Sequence, residues 1–168
     1  YHHWAGRALS VLDAIESIVE VIRDFDIYIY SAHDVVVEKI IKMNAHYNLN
    51  IQYSTRTEQI SHEALLQKFG TARIAIGNNI SDGVPNTLLE AIICGAFPIQ
   101  SNPGGASEDY ITHGENGFLI KDPLNCEEIA GHITAVLTNH ELLQSACEMN
   151  QKVAKKLAYF KIRQNVLN

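Results

Sequence analysis

Apolar residues follow two alternating periodicities along this chain. In some segments they recur every three or four residues, which places them on one face of an amphipathic helix. In others, short runs of β-branched and aromatic residues lie between turn-forming residues, as is typical of strands. The helical periodicity predicts helices over roughly residues 5 to 23, around Val36 to Ala45, near 60 to 69, over 87–94, and in segments carrying Ile129 to Val136 and Leu142 to Val153. The strand-like runs are DIYIYSA (26–32), NIQYST (50–55), RIAIGNN (73–79), FPIQS (97–101) and FLI (118–120).

Strands and helices alternate about every 23 residues, which is the signature of βαβ units. Right-handed crossovers join such units into a parallel sheet covered by helices on both faces. The sequence therefore predicts one doubly wound, Rossmann-like α/β domain over residues 1–168. Such domains bind ligands outside the carboxyl ends of their strands. The loops that follow the strands are the places to look for a site.

The chain begins with Tyr1 rather than Met and reaches its first predicted helix almost at once. In a Rossmann-like sheet that helix needs a strand before it, and this first strand is central to the sheet. We therefore interpret the chain as a piece of a longer protein. The central strand is expected to be missing from this sequence or to be supplied from elsewhere.

Composition and charge exclude several classes of function. The chain has 46% hydrophobic residues and a net charge of −6, and its Lys and Arg residues are scattered. It therefore lacks the basic patch that nucleic acid binding requires. No run approaches the roughly 18 apolar residues of a membrane span. The three cysteines, Cys94, Cys126 and Cys147, form no CxxC pair, which argues for buried free thiols in a cytoplasmic protein.

Residues 76–109, IGNNISDGVPNTLLEAIICGAFPIQSNPGGASED, are the segment in which we expect a site. The GxGxxG, GxxxxGKS, GxSxG and HExxH motifs are absent from the sequence. Here a strand ends, a loop turns, and a helix opens. The first amides of a helix lack partners and lie at the positive end of its dipole, so they favour a phosphate. Gly83 allows a close approach to the main chain, Pro85 sets the turn, and Asn86 and Thr87 open the helix.

Two acids, Asp82 and Glu90, lie eight positions apart on either side of these amides. Each has a structural alternative. Asp82 begins an Asp-Gly dipeptide, which is typical of turns. Glu90 ends the sequence Thr87-Leu88-Leu89-Glu90, which matches a capping box in which Glu bonds to the start of its own helix.

The ordered motifs of this region resemble the C-terminal domain of the group 1 glycosyltransferases, which have two Rossmann-like domains facing across a cleft. This resemblance implies the C-terminal half of a GT-B fold, with an N-terminal acceptor domain outside this sequence. The strand and helix alternation extends it over nearly the whole chain. The matching motifs are Asp82-Gly83, Leu89-Glu90-Ala91, Cys94-Gly95, Pro98, Ser101-Asn102, Gly104-Gly105 with Glu108, and Gly114-Glu115-Asn116-Gly117-Phe118.

By position, the resemblance implies that Glu90 accepts hydrogen bonds from the ribose hydroxyls of a nucleotide sugar. It implies that Asp82 is the catalytic acid near the donor sugar, although the family usually has Glu there. The amides of Gly83 and Val84 would meet sugar hydroxyls, and the helix opening at Asn86, with the amides of Thr87 and Leu88, would meet the diphosphate.

Arg7 is the candidate cation for the leaving diphosphate, with an ordinary surface arginine as the alternative. The loop 55–57 (Thr-Arg-Thr) is a further candidate, for the base, and Gly104-Gly105 forms either a plain turn or the floor of the site. The eight histidines, including the adjacent pair His2-His3, lack metal-ligand spacing. Trp4 and Phe69 are predicted core residues.

The resemblance implies a retaining, hexosyltransferase-type glycosyltransferase that uses a nucleotide-diphosphate sugar, no cofactor and no obligatory metal. The acceptor would be a glycan or a lipid-linked molecule, in polysaccharide or lipopolysaccharide biosynthesis, with the full-length enzyme cytoplasmic or peripheral at the inner face of the membrane. The chain alone is expected to show negligible turnover. A sugar-nucleotide epimerase of the same architecture and a non-catalytic nucleotide-sugar-binding module remain alternatives. A nicotinamide-binding domain would need the glycine fingerprint that is missing.

Overall fold

The structure, a computed structural model, describes residues 7–157. Its helices and strands follow the predicted alternation and lie close to the predicted positions. In chain order they are α1 (Ala8–Ser17), α2 (Val19–Ile22), β1 (Ile27–Ala32), α3 (Asp34–Tyr47), β2 (Ile51–Thr55), α4 (His62–Thr71), β3 (Ile74–Gly77), α5 (Asn86–Cys94), β4 (Phe97–Ser101), a 3₁₀ turn (Ala106–Asp109), β5 (Phe118–Ile120), α6 (Cys126–Thr138) and α7 (His140–Lys156).

All strand pairs are parallel, and helices cover both sides of the strands, which confirms the doubly wound α/β class. The strands are divided between two sheets, β1 with β2 and β3-β4-β5. Every side chain of β4 is buried, whereas those of β3 are half-buried. Among the described residues, no strand bonds to both β1 and β3. The expectation of a central strand supplied from outside this sequence stays a prediction.

The main core joins the two sheets to helices on one side. α1 packs against α3 and α6. Two smaller clusters surround α5, which packs against α4 and α7. Phe69 belongs to one of them, which confirms it as a core residue, whereas Trp4 and the pair His2-His3 lie outside the described residues. The largest fully buried side chains of the main core are Leu12, Val36, Ile40, Met43, Ile99, Ile120, Ile129 and Val136.

The prediction of one helix over residues 5 to 23 is wrong in its middle. Ile18, between α1 and α2, has φ −121° and ψ 30°, which are not helical values. The hydroxyl of Ser17 donates to the carbonyl of Ala14 at 2.7 Å, and the amide of Ile18 donates to the carbonyl of Ile15 at 3.2 Å. These bonds to the third preceding residue replace the α-helical ladder at this turn. The apolar periodicity continues across the break, so the sequence pattern does not reveal it.

The three cysteines are free, but they are half-buried rather than buried as predicted. Two of them occupy helix ends, where the side chain meets solvent: Cys94 ends α5 and Cys126 begins α6. In the part of the chain that the structure describes, no helix is long and apolar enough to cross a membrane.

Candidate functional site

The loop 78–85 follows β3 and is fixed at the carboxyl edge of the sheet. Asn78 is buried, and its Nδ2 donates to the carbonyl of Pro123 at 2.9 Å. The hydroxyl of Ser101, at the end of β4, donates to the carbonyl of Asn79 at 2.6 Å. These bonds tie the loop to the ends of neighbouring elements. The loop therefore lies where doubly wound domains bind their ligands.

The carboxylate of Asp82 is bonded within this loop. Its Oδ1 accepts from the amide of Gly83 at 2.9 Å, and its Oδ2 accepts from Nδ2 of Asn79 at 3.0 Å. Such local bonds are what a turn residue makes, so they support the structural alternative for Asp82. An ionised carboxylate has about four acceptor sites. The two bonds therefore leave Asp82 able to accept further bonds from a ligand.

The glycine loop after β4 packs directly against the Asp82 loop. A Cβ atom on Gly104 would lie 3.3 Å from the carbonyl oxygen of Asp82, and Gly105 has φ 78°, a conformation that favours glycine. The side chain of Asn102 donates to Glu108 at 2.8 Å and holds the two ends of the loop together. Gly104-Gly105 therefore turn the chain and allow the two loops to pack closely, and their role as the floor of a site stays a prediction.

A small cleft of about 150 Å³ opens among the loops that follow β3, β4 and β5. Ile80 comes from the first of these loops, and Asn102 and Pro103 come from the second. The third contributes Lys121, an exposed cation, together with Pro123. The three loops meet because the carboxyl ends of parallel strands lie at one edge of the sheet.

α5 opens at Asn86 with Pro85 as its N-cap and with no side-chain capping bond. The amides of Leu88 and Leu89 donate to the carbonyl of Pro85, at 3.0 and 3.5 Å. The amides of Asn86 and Thr87 precede the first intrahelical bond, so they have no acceptor within the helix. The predicted diphosphate amide of Leu88 is thus already engaged, and Asn86 and Thr87 present the open end of the helix.

Glu90 bonds to a neighbouring helix instead of to its own. Its Oε1 is 2.8 Å from Nε2 of His62, the first residue of α4. The capping-box alternative for Glu90 is wrong, because Pro85 and not Thr87 caps α5 and no side-chain cap bond forms. The Glu90 side chain is 24% exposed. Its carboxylate therefore lies one turn past the open amides and faces solvent.

Tyr30, near the end of β1, is the third side chain at this helix opening. Its ring meets Phe69 edge to face at 6.3 Å, and its hydroxyl lies near the side chain of Thr87. Burial raises the pKa of the Tyr30 hydroxyl, the polar side chain of Thr87 lowers it, and the charge of Glu90 raises it further; the net pKa is above its usual value. Tyr30 and His62 are not predictable as site residues from the sequence, because both contacts span long sequence separations.

Arg7 lies at the carboxyl end of β3. Its carbonyl accepts from Nδ2 of Asn78 at 3.5 Å, and its backbone is left-handed, with φ 47°. Among the described residues, Nε of Arg7 and Oδ1 of Asn78 are buried without a hydrogen-bond partner. The structure thus places Arg7 at the same edge of the sheet as the loop before α5.

The GENG motif at residues 114–117 acts within the fold rather than at the site. Asn116 is buried and exchanges hydrogen bonds with Asn150 of α7: its Nδ2 donates to Oδ1 of Asn150 at 2.9 Å, and its carbonyl accepts from Asn150 at 3.1 Å. Gly117 packs against Pro98 of β4. The motif therefore fixes α7 and β5 to the sheet.

The loop at Thr55, Arg56 and Thr57 lies at the end of β2. The hydroxyls of Thr55 and Thr57 are 3.0 Å apart, and the amide of Glu58 donates to Oγ1 of Thr55 at 3.0 Å. Since β2 pairs with the strand that carries Tyr30, this loop is at the same edge as the candidate site. Across residues 7–157, no three metal-ligating side chains converge.

The sequence profile of the family described as Glycosyl transferases group 1 matches residues 36–153. This range runs from α3 into α7 and includes every site residue named above except Arg7 and Tyr30. No curated protein matches the sequence.

Solved structures of similar fold exist, at low sequence identity. TarM from S. aureus, in complex with fondaparinux, alpha-GlcNAc-glycerol and UDP, is 18% identical with a TM-score of 0.76, over 98% of this chain and 32% of that one. HepE from Anabaena, in complex with UDP, is 16% identical with a TM-score of 0.76, over 98% of this chain and 44% of that one. WaaG, a glycosyltransferase involved in lipopolysaccharide biosynthesis, is 16% identical with a TM-score of 0.74, over 92% of this chain and 40% of that one. The chain thus spans less than half the length of the structures it matches.

Proposed function

Because this chain belongs to the group 1 glycosyltransferases, we propose that it binds the nucleotide-sugar donor of a retaining, hexosyltransferase-type enzyme. The donor is a nucleotide-diphosphate sugar. The acceptor is a glycan or a lipid-linked molecule, held by a second, N-terminal domain outside this sequence. The chain alone then has negligible turnover, since half of the cleft comes from that domain.

The position of Glu90 is the observation that carries this proposal. Its carboxylate is partly exposed, is held from outside its own helix by His62, and lies one turn past the open amides of Asn86 and Thr87. A ribose diphosphate needs this combination, because its hydroxyls donate to a carboxylate while its phosphates accept from amides. The UDP complexes of TarM and HepE, proteins of similar fold, support a nucleotide ligand.

The diphosphate binds at the opening of α5. The amides of Asn86 and Thr87 and the positive end of the helix dipole attract its negative charge. Arg7, whose carbonyl accepts from Asn78 at the carboxyl end of β3, is the candidate cation. As the bond to the sugar breaks, charge grows on the leaving diphosphate, and preorganised donors of this kind stabilise it. The reaction then needs no cofactor and no obligatory metal.

The sugar lies over the loop 81–84. Asp82 provides acceptor sites for its hydroxyls, and the amides of Gly83 and Val84 are the nearby donors. Gly104 lets the loop after β4 approach the Asp82 loop closely, since a Cβ atom there would lie 3.3 Å from the Asp82 carbonyl oxygen. The setting we propose is cytoplasmic polysaccharide or lipopolysaccharide assembly, with the full-length enzyme peripheral at the membrane. It rests on the family and on the fold shared with WaaG.

One observation favours a second candidate, a nucleotide-sugar-binding module without catalysis. Both oxygens of Asp82 are bonded inside their own loop. In that case the nucleotide contacts of α5 and Glu90 would persist, whereas Asp82 would serve the turn alone.

Calorimetric titration of the 168-residue chain with UDP, GDP and ADP tests the donor site. We expect selective binding of one nucleotide, weakened by about 1 to 3 kcal/mol in Glu90→Ala because a charged acceptor is lost. Glu148→Ala, which removes an exposed glutamate of α7, is the matched control and should bind like wild type.

Two results would contradict the proposal. Equal nucleotide affinity of wild type and Glu90→Ala would show that Glu90 does not contact the nucleotide. If neither this chain nor the full-length protein binds any of the three nucleotides, the proposed nucleotide-sugar function is wrong.

A further inference from the structure

His62 and Glu90 are brought together by the packing of two helices, although 28 residues separate them. α4 and α5 share a buried cluster that includes Phe69 and Ala91. α4 begins at a defined point, because the hydroxyl of Ser61 accepts from the amide of Ala64 at 3.2 Å and caps the helix. The Ser61 cap and the buried cluster together fix the position of His62 relative to α5.

The contact also fixes the proton on His62. An ionised carboxylate only accepts hydrogen bonds, so Nε2 of His62 must carry the proton that is donated to Oε1 of Glu90. One oxygen of Glu90 is thereby engaged and the other is open to a ligand. Among residues 7–157, His62 is the only basic side chain within 4 Å of the Glu90 carboxylate.

The His62 side chain is 67% exposed, whereas that of Glu90 is 24% exposed. Exposed pairs of this kind contribute little to the stability of a fold. The pair therefore has more consequence for the orientation of Glu90 than for folding. A free Glu side chain samples several rotamers, and selecting one of them on binding costs conformational entropy.

We propose that His62 is a positioning residue: it holds the Glu90 carboxylate in the orientation that accepts hydrogen bonds from the ribose hydroxyls of the bound nucleotide. This inference rests on the proposed function. It predicts that loss of His62 weakens nucleotide binding. If His62 instead competed with the ribose hydroxyls for the Glu90 carboxylate, loss of His62 would strengthen nucleotide binding.

The test compares His62→Ala and His62→Gln with wild type, using whichever of UDP, GDP or ADP binds and its 2′-deoxy counterpart. His62→Ala should weaken binding of the ribonucleotide about 3- to 10-fold, as expected for one lost charged hydrogen bond near the surface. His62→Gln keeps an N–H donor at similar reach and should stay within about 2-fold of wild type. His140→Ala, which removes the exposed first residue of α7, is the matched control and should have no effect.

The ribose readout separates positioning from a general effect on structure. In His62→Ala, the preference for the ribonucleotide over its 2′-deoxy counterpart should fall, because the carboxylate that reads the hydroxyl is less well held. In a Glu90→Ala background, His62→Ala should add less than about 2-fold, since the two residues act through one bond. Thermal unfolding should be unchanged, because Ala is a good helix former at an exposed helix start.

Several results would overturn the inference while leaving the proposed function intact. They are tighter binding in His62→Ala, an unchanged ribose preference, or equal effects of His62→Ala with and without Glu90. Absence of nucleotide binding by wild type would instead overturn the proposed function, and this inference with it.

Discussion

The imidazole ring of His132 in α6 stacks on the ring of Phe118 in β5, with centroids 4.5 Å apart and planes inclined by 11°. A second imidazole, that of His113, meets His132 edge to face at 5.5 Å. Nε2 of His132 is 3.6 Å from Oε1 of Glu128, beyond hydrogen-bond distance. Burial lowers the pKa of His132, and the charge of Glu128 opposes this shift only in part. Burial at this position therefore favours the neutral form of the ring.

This lowered pKa predicts a loss of stability in mild acid. Below pH 6.5, the ordinary pKa of histidine, His132 of the unfolded chain binds a proton. His132 of the folded chain binds one only below its own, lower pKa. The free energy of unfolding should therefore fall as pH drops below about 6.5, and this contribution should be complete once pH is below the folded pKa. Thermal unfolding between pH 7.5 and 5 measures it.

His132→Phe removes the titrating group and keeps a ring over Phe118. It should flatten the dependence of unfolding temperature on pH in this range, whereas His140→Ala, at an exposed position, should leave the dependence as in wild type. An equal slope in wild type and His132→Phe would show that other groups govern the acid sensitivity.

Replacing either of two glycines with alanine should change the free energy of unfolding, but in opposite directions. A Cβ atom on Gly117 would lie 2.8 Å from Cγ and 3.0 Å from the carbonyl oxygen of Pro98, so the backbone has to move. Gly117→Ala should lower the free energy of unfolding by about 1 to 3 kcal/mol, as overpacking does. Gly131, inside α6, has nothing within 4 Å of its Cβ position. Gly131→Ala should raise stability by about 0.5 to 1 kcal/mol through helix propensity.

Chemical denaturation of both variants measures this pair. Because each change adds one methyl group, a general effect of alanine would move both in the same direction. A Gly117→Ala protein as stable as wild type would mean that β4 and β5 can separate by several tenths of an ångström without cost.

The sequence predicts the elements of this fold better than their contacts. α5 is predictable because Leu88, Ala91 and Ile92 recur at helical spacing, and all three are buried. The break at Ile18 is not, since the apolar spacing continues through it. The loop before α5 follows from Gly83 and Pro85, whose conformational preferences are local.

The partners of the site residues could not be predicted, for a physical reason. His62 meets Glu90 across 28 positions and Asn150 meets Asn116 across 34, through packing that no local pattern encodes. A capping box is a local pattern, so it predicted a bond for Glu90 that the start of α5 at Asn86 does not allow. Local patterns locate the loop and the helix, whereas tertiary packing decides which side chains meet at the candidate site.

Asp82 is the proposed catalytic acid, and a conservative substitution tests that role. Asp82→Asn keeps the size of the side chain and the acceptor for the Gly83 amide, but it removes the charge and faces the Asn79 amide with a donor. If Asp82 is catalytic, kcat of the full-length enzyme should fall about 100- to 1,000-fold, the scale of removing one preorganised group that stabilises charge at a reacting centre. Nucleotide affinity should stay within about 3-fold, since Glu90 and α5 are untouched. Asp82→Glu, which restores the charge with one more methylene, should recover most of the activity. A normal kcat in Asp82→Asn together with a lower unfolding temperature would assign Asp82 to the turn alone. Absence of turnover by the full-length wild-type protein would instead favour the non-catalytic module.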